Sequence, residues 1–138
     1  MKSQINLRVN TDLGVLSSVL SWFDQINIPP ISNQQIWWQC QTLMIEGFTN
    51  IVEHAHKGLP KETPIEIEVL RSDKSIKIHI LSQGAPFDLE QQLQVQSELA
   101  DNELERGRGL KIMAAIADKL SYEKIDDNRY CLFIGKCY

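Results

Sequence analysis

Three side chains near the middle of the sequence have the types and spacing needed to hold a metal ion or orient a water molecule. Glu46, Asn50 and Glu53 recur at steps of four and three residues, so on a helix they form one polar row. Asparagine is unfavourable inside a helix because its amide competes for nearby backbone groups. The row therefore indicates a candidate site, and the alternative interpretation is a solvated outer face.

A second candidate lies where Gly107-Arg108-Gly109 opens a helical pattern. Glycines let the backbone approach a ligand closely, and the free amides of a first helical turn attract phosphate. Arg106 and Arg108 add positive charge at the same place. The segment lacks the spacing of a P-loop or of a dinucleotide-binding motif, and an ordinary loop-to-helix joint is the alternative.

A third candidate is the turn from Ser82 to Phe87, where Gly84 and Pro86 directly follow a predicted strand. The bland interpretation is a simple strand exit. His54 and His56 do not suggest a metal site, because residues two apart on a helix point in nearly opposite directions.

The elements that would position these segments follow from hydrophobic periodicity. Met44, Phe48, Ile51 and Ala55 make an apolar stripe, so we predict one helix that starts after a Ser32 cap and continues to Lys57-Gly58. Before the central helix we predict a strand 4–9 and a helix from a Thr11 or Asp12 cap to Asn27. After it we predict a hairpin 64–81, a short helix 88–96, an exposed acidic lid loop 97–106, a helix 107–117 and a second hairpin 120–134. The helix 107–117 is expected to pack inward through Leu110, Met113, Ala114 and Ala117.

This order predicts an α+β fold: a two-layer sandwich in which helices cover one face of a mixed, mainly antiparallel sheet, within a single domain 1–138. The net charge of -4 argues against nucleic-acid binding. Three cysteines without framework spacing indicate reduced thiols. The sequence has no apolar run long enough to suggest a membrane span, and we expect a cytoplasmic protein. Trp37-Trp38 is expected to be core rather than a base-stacking platform.

Together the three segments resemble the sequence boxes of the Bergerat-fold (GHKL) ATP-binding superfamily, and within it the bacterial anti-sigma factor serine/threonine kinases. Glu46 to His54 is similar to the first box, whose asparagine holds Mg²⁺ and whose leading glutamate is the general base. The resemblance assigns those roles to Asn50 and Glu46, with Glu53 in the same ATP-binding row.

The segment Gly84 to Asp88, which includes Pro86 and Phe87, resembles the second box. At the position of the family's adenine-binding aspartate this chain has Ser82. The loss of a charged acceptor would weaken nucleotide binding by about 5- to 150-fold. The third box is similar to Glu103 to Leu110. In that box Arg106, or alternatively Arg108, would reach the terminal phosphate, and Gly107, Gly109 and Leu110 would wrap it.

The resemblance implies an anti-sigma regulatory kinase that uses ATP and Mg²⁺, with a sigma factor and an anti-anti-sigma (STAS-type) protein as partners and a homodimer as the expected assembly. The alternative is a regulatory module of the same fold that is impaired in ATP binding and acts by contact. Ser82 favours the alternative, while Glu46, Asn50 and the two glycines favour the kinase. A histidine-kinase catalytic fragment fits less well, because no helix with a phosphorylatable histidine precedes the domain.

Overall fold

Strands rich in isoleucine and valine form an antiparallel sheet in the computed structural model, which describes residues 2–83 and 108–138. Within that part of the chain the sheet has five strands in the order β1-β2-β3-β5-β4. Their bounds are β1 Ser3–Val9, β2 Ile65–Arg71, β3 Ser75–Ser82, β4 Lys119–Asp126 and β5 Arg129–Cys137. Both predicted hairpins are confirmed. All four pairings are antiparallel, so the described sheet is not mixed.

The described helices are α1 Leu16–Phe23, α2 Gln34–Asn50 and α3 Arg108–Ile116. Short 3-10 turns flank α1 at Leu13–Val15 and Asp24–Asn27. Asp12 caps the first of these turns, as one of the two predicted caps. The predicted Ser32 cap of α2 is wrong: the side chain of Asn33 accepts from the amides of Gln35 and Ile36, because it stands directly before the first helical residue.

The central helix changes its hydrogen bonding before it ends. Regular α-helix stops at Asn50, and Ile51–Ala55 continues as one π-helical segment, where we had predicted uninterrupted α-helix. Gly58 adopts a φ of 84° just beyond it, which is the left-handed conformation expected of a glycine after a helix end. The helical path therefore continues as predicted, but its last turns have π-helical instead of α-helical hydrogen bonds.

The helices cover one face of the sheet and enclose the core, as the predicted fold class requires. The apolar stripe of α2 is buried, with Met44, Phe48 and Ile51 at 0% exposure and Ala55 at 4%. It meets the inward rows of β2, β3 and β5, which are Ile65, Ile67, Val69, Ile76, Ile78, Ile80, Leu132 and Ile134. The two-layer α+β sandwich is confirmed.

Some single positions depart from their predicted burial. Trp37 stacks on Phe23 with ring centroids 5.0 Å apart, but Trp38 is 56% exposed because the next helical position turns outward. On α3, Leu110 and Met113 are buried as predicted, whereas Ala114 is exposed. Cys40, Cys131 and Cys137 are free thiols. Burial raises the pKa of Cys40 to about 12, so it remains protonated at neutral pH.

A buried cation ties the sheet to the chain that leads into α2. Arg71, at the end of β2, donates from Nη1 to the carbonyls of Ile26 at 2.7 Å and Pro29 at 2.6 Å. Its Nε donates to the hydroxyl of Tyr138 at 3.1 Å. These contacts satisfy a charge that is costly to bury, and they fix the loop from which α2 starts.

The predicted short helix 88–96 and lid loop 97–106 lie outside the described residues. In the part of the chain that is described, no helix has the length and apolar character to cross a membrane.

Candidate functional site

Asn50 occupies the junction between α2 and the π-helical segment, and it is buried with 5% exposure. Its Oδ1 has no hydrogen-bond partner among residues 2–83 and 108–138. A buried acceptor left without a partner costs about 1–3 kcal/mol, so such an atom is retained where a ligand will satisfy it. π-Helical turns are also frequent at functional sites. The Oδ1 of Asn50 is thus suited to accept a hydrogen bond from a ligand or to bind a cation.

Glu46 and Glu53 stand about one helical turn on either side of Asn50, and both are half-buried. Burial raises the pKa of Glu46, and repulsion from the carboxylate of Glu53 raises it further. The row is therefore not a fully solvated face. Two carboxylates around a buried amide oxygen create a negative potential that attracts a cation, and a carboxylate with a raised pKa is a better base.

Gly47 explains how the row comes so close to the sheet. A Cβ at this position would lie 2.9 Å from Cδ1 of Ile134 and 3.0 Å from Cδ1 of Ile80, nearer than side chains normally approach. Glycine therefore lets α2 lie close to β3 and β5 without displacing the ends of these two side chains. Asn50 follows Gly47 by three residues, so it remains on the flank of the helix that adjoins the sheet.

Ser82 ends β3 on the same side of the sheet as Ile80, and it is 1% exposed. Its Oγ lies 3.3 Å from the hydroxyl of Tyr122 on β4, and either group can donate. Tyr122 in turn stacks on Tyr130, with ring centroids 5.5 Å apart and nearly parallel planes. Sequence reasoning missed Tyr122, because its approach to Ser82 depends on the register of two hairpins.

The third segment is described only from Arg108 onward. The helix α3 that follows Gly107 contacts α2, and Leu110 is 2% exposed. The glycine-rich segment thus leads into a helix that neighbours the Asn50 helix. Five of the predicted site residues lie outside the described residues: Gly84, Pro86, Phe87, Arg106 and Gly107. For Arg108 and Gly109 only the helical backbone is described. Their placement around the row stays a prediction.

The donor chemistry fits Mg²⁺ with one protein oxygen. Mg²⁺ prefers oxygen ligands and keeps several from water and phosphate, so Asn50 Oδ1 suffices as the protein's part. His54 is exposed and His56 is buried, which places the two imidazoles in different surroundings. Among the described residues, no cluster of three or more histidine, cysteine or acidic side chains could hold a metal by itself.

The unpaired oxygen of Asn50 predicts an unusual response to mutation. Asn50→Leu removes a buried acceptor that makes no hydrogen bond to any described residue, so the free energy of unfolding without ligand should stay unchanged or rise by about 1–3 kcal/mol. The control is Asn33→Leu, which removes the cap of α2 and should lower that free energy by about 0.5–2 kcal/mol. Urea unfolding followed by circular dichroism measures both variants. A larger loss in Asn50→Leu than in Asn33→Leu would show that Asn50 is structural.

Comparison with known proteins agrees with this architecture. A chain in the crystal structure of the SiaB–SiaC complex from Pseudomonas aeruginosa superposes with a TM-score of 0.68, over 95% of this chain and 88% of that chain. The two sequences are 11% identical, so the likeness shows the fold alone. No curated protein matches the sequence. The family model of the histidine kinase-like ATPase domain matches residues 11–136. This match covers nearly the whole chain, which therefore belongs to the histidine kinase-like ATPase domain family.

Proposed function

We propose that this protein binds ATP with Mg²⁺ at the Glu46/Asn50/Glu53 row and transfers the terminal phosphoryl group to a serine or threonine hydroxyl of an anti-anti-sigma partner. The observation that carries the proposal is the buried Oδ1 of Asn50, which none of the described residues satisfies, in an ATPase-domain fold. One similar solved chain comes from a SiaB–SiaC complex, which supports a role that includes a protein partner.

Each group of the row has a task in this reaction. Asn50 offers its Oδ1 as the protein ligand of Mg²⁺, and the bound ion would neutralise phosphate charge. Glu46 accepts the proton of the partner's hydroxyl while that oxygen attacks the terminal phosphorus, and the bond to the bridging oxygen breaks to release ADP. Burial of Glu46 favours this role because it raises the pKa of the carboxyl group and so makes the carboxylate more basic.

Two variants separate binding from chemistry in this proposal. Asn50→Leu should remove the Mg²⁺-dependent part of ATP binding, measured by calorimetry with and without Mg²⁺. Glu46→Gln should keep ATP affinity within about threefold but reduce phosphotransfer by about 10²–10⁴-fold, because the amide cannot take the proton. Transfer is followed with γ-labelled ATP and the STAS-domain proteins of the same genome.

Equal Mg²⁺ dependence in Asn50→Leu and the unmodified protein would contradict the metal assignment. Normal transfer by Glu46→Gln would remove Glu46 as the base. Absence of ATP binding in the unmodified protein would refute the kinase and favour the second candidate function.

The second candidate function is regulation by protein contact without nucleotide. It is favoured by Ser82, whose hydroxyl is buried and already within hydrogen-bond distance of Tyr122. A hydroxyl accepts less strongly than a carboxylate, so the residue that would contact the adenine amino group provides little affinity. The same family fold would then present a surface to a sigma factor or an anti-anti-sigma protein, and the expected homodimer remains a prediction.

Ser82→Asp tests the purine contact directly. A carboxylate there would accept the adenine amino proton with charge assistance, and the Tyr122 hydroxyl can donate to its other oxygen. ATP affinity should rise by about 5- to 150-fold, while GTP, which has a carbonyl at the matching position, should gain nothing. The control is Ser82→Asn, which has similar size without the charge. Calorimetry that shows the same ATP affinity in all three proteins would exclude Ser82 as the adenine contact.

A further inference from the structure

A buried imidazole connects the end of the central helix to two other segments. His56 directly follows the π-helical segment and is 1% exposed. Its Nδ1 lies 2.7 Å from Oγ1 of Thr11, in the loop after β1. Its Nε2 accepts from the backbone N–H of Gln83, at the exit of β3, over 2.9 Å.

The hydrogen bonds around His56 determine which of its nitrogens carries the proton. The hydroxyl of Thr11 has one hydrogen, and it donates this hydrogen to the carbonyl of Thr63 at 2.7 Å. The contact between Thr11 and His56 therefore requires His56 Nδ1–H as the donor. Nε2 is then the acceptor that Gln83 needs, so both contacts of the ring are satisfied only by this neutral tautomer.

These contacts join the two segments that the proposed ATP site requires. Asn50 lies six residues before His56 on the same continuous helical path. Gln83 is the last residue before Gly84, Pro86 and Phe87 in the sequence. One imidazole thus spans from the helix end to the point where the chain leaves β3. A shift of the Gln83 backbone would move the neighbouring Ser82, the candidate adenine contact, relative to Asn50.

We propose that His56 is a positioning residue of the nucleotide site: as its Nδ1–H tautomer it holds the Gln83 backbone, and with it the neighbouring Ser82, in a fixed place relative to Asn50. This inference rests on the proposed binding of ATP at the Asn50 row. The residue touches neither metal nor nucleotide and acts through the backbone.

Protonation would break the link to Gln83. An imidazolium carries hydrogen on both nitrogens, so its Nε2–H would face the N–H of Gln83 at a distance where two donors repel. Burial lowers the pKa of His56. The charged groups on the surrounding elements are Asp12, which pairs with Lys61 at 3.1 Å, and Glu62, and those on its own element are Glu53, His54 and Lys57.

The sign of the linked stability effect follows from that shift. The unfolded chain has the ordinary histidine pKa of about 6.5 and binds the proton more tightly than the folded chain. Stability from His56 is therefore complete above about pH 6.5 and is lost as the pH falls through the lower folded value.

Two substitutions test the contacts of Nε2 and Nδ1 of His56 separately. In His56→Gln the side-chain oxygen takes the place of Nε2 and can still accept from Gln83, whereas in His56→Asn the amide nitrogen takes the place of Nδ1 and can donate only to Thr11. Calorimetry with Mg²⁺ and ATP should show affinity reduced by about 2- to 12-fold in His56→Asn, but changed by less than about twofold in His56→Gln. Each affinity is measured above pH 7 on protein whose folding is checked by thermal unfolding.

A pH series supplies a second readout that a purely structural role would not move. As the pH falls from about 7.5 through the lowered pKa of His56, the affinity of the unmodified protein should fall more steeply than that of His56→Gln, because only the former can protonate at this position. ATP itself titrates in this range, and the comparison of the two proteins cancels that contribution. Nitrogen NMR of the unmodified protein without nucleotide should show Nε2 unprotonated at pH 7.5.

The possible outcomes are distinct. Equal affinities in both variants, or matching pH profiles for the unmodified protein and His56→Gln, would overturn the inference. If His56→Asn does not fold, the pH profiles and the NMR result decide. ATP binding by the unmodified protein with no effect of His56 would refute this inference and leave the proposed function intact. Absence of any ATP binding would refute both.

Discussion

The close packing of α2 on the sheet at Gly47, where a Cβ would meet the side-chain ends of Ile80 and Ile134, is the feature on which the rest of the site depends. A helix normally stands off a sheet by the length of its side chains, and here one glycine removes that spacer at the centre of the interface. The flank of α2 that bears Asn50 is consequently drawn into the interior. At the end of the same helical path, His56 accepts a hydrogen bond from Gln83 at the exit of β3.

Several energetically unfavourable features occur together at the end of α2, around Asn50. The oxygen of Asn50 is buried without a partner in the described part of the chain, and the carboxylates of Glu46 and Glu53 repel each other. The hydrogen bonding of the backbone changes to the π form immediately after Asn50. Each of these costs stability, and the apolar core beneath offsets the sum. Proteins retain such costs at places where a ligand later satisfies them, which is why this row supports a binding site better than a structural role.

Periodicity in the sequence was enough to predict the sheet, both hairpins and the buried stripe of the central helix, because these follow from repeats of two and of three to four residues. Features that depend on single hydrogen bonds or on distant contacts were missed. Asn33 rather than Ser32 caps α2, and the π form of 51–55 has no periodic signature. The partnership of Ser82 with Tyr122 needs the register of strands that are far apart in sequence. Helical spacing argues against a metal site at His54 and His56, but it does not reveal the contacts of His56 with a backbone amide and a hydroxyl group.

The most direct test of the account is a crystal structure with Mg²⁺ and a non-hydrolysable ATP analogue. The account predicts the ion within about 2.0–2.1 Å of Asn50 Oδ1, so that the one unpaired buried oxygen of the described residues gains its partner. The terminal phosphate should lie next to Glu46, and the amide of Gln83 should still donate to His56. A nucleotide bound elsewhere, with Asn50 Oδ1 still unpaired, would contradict the account.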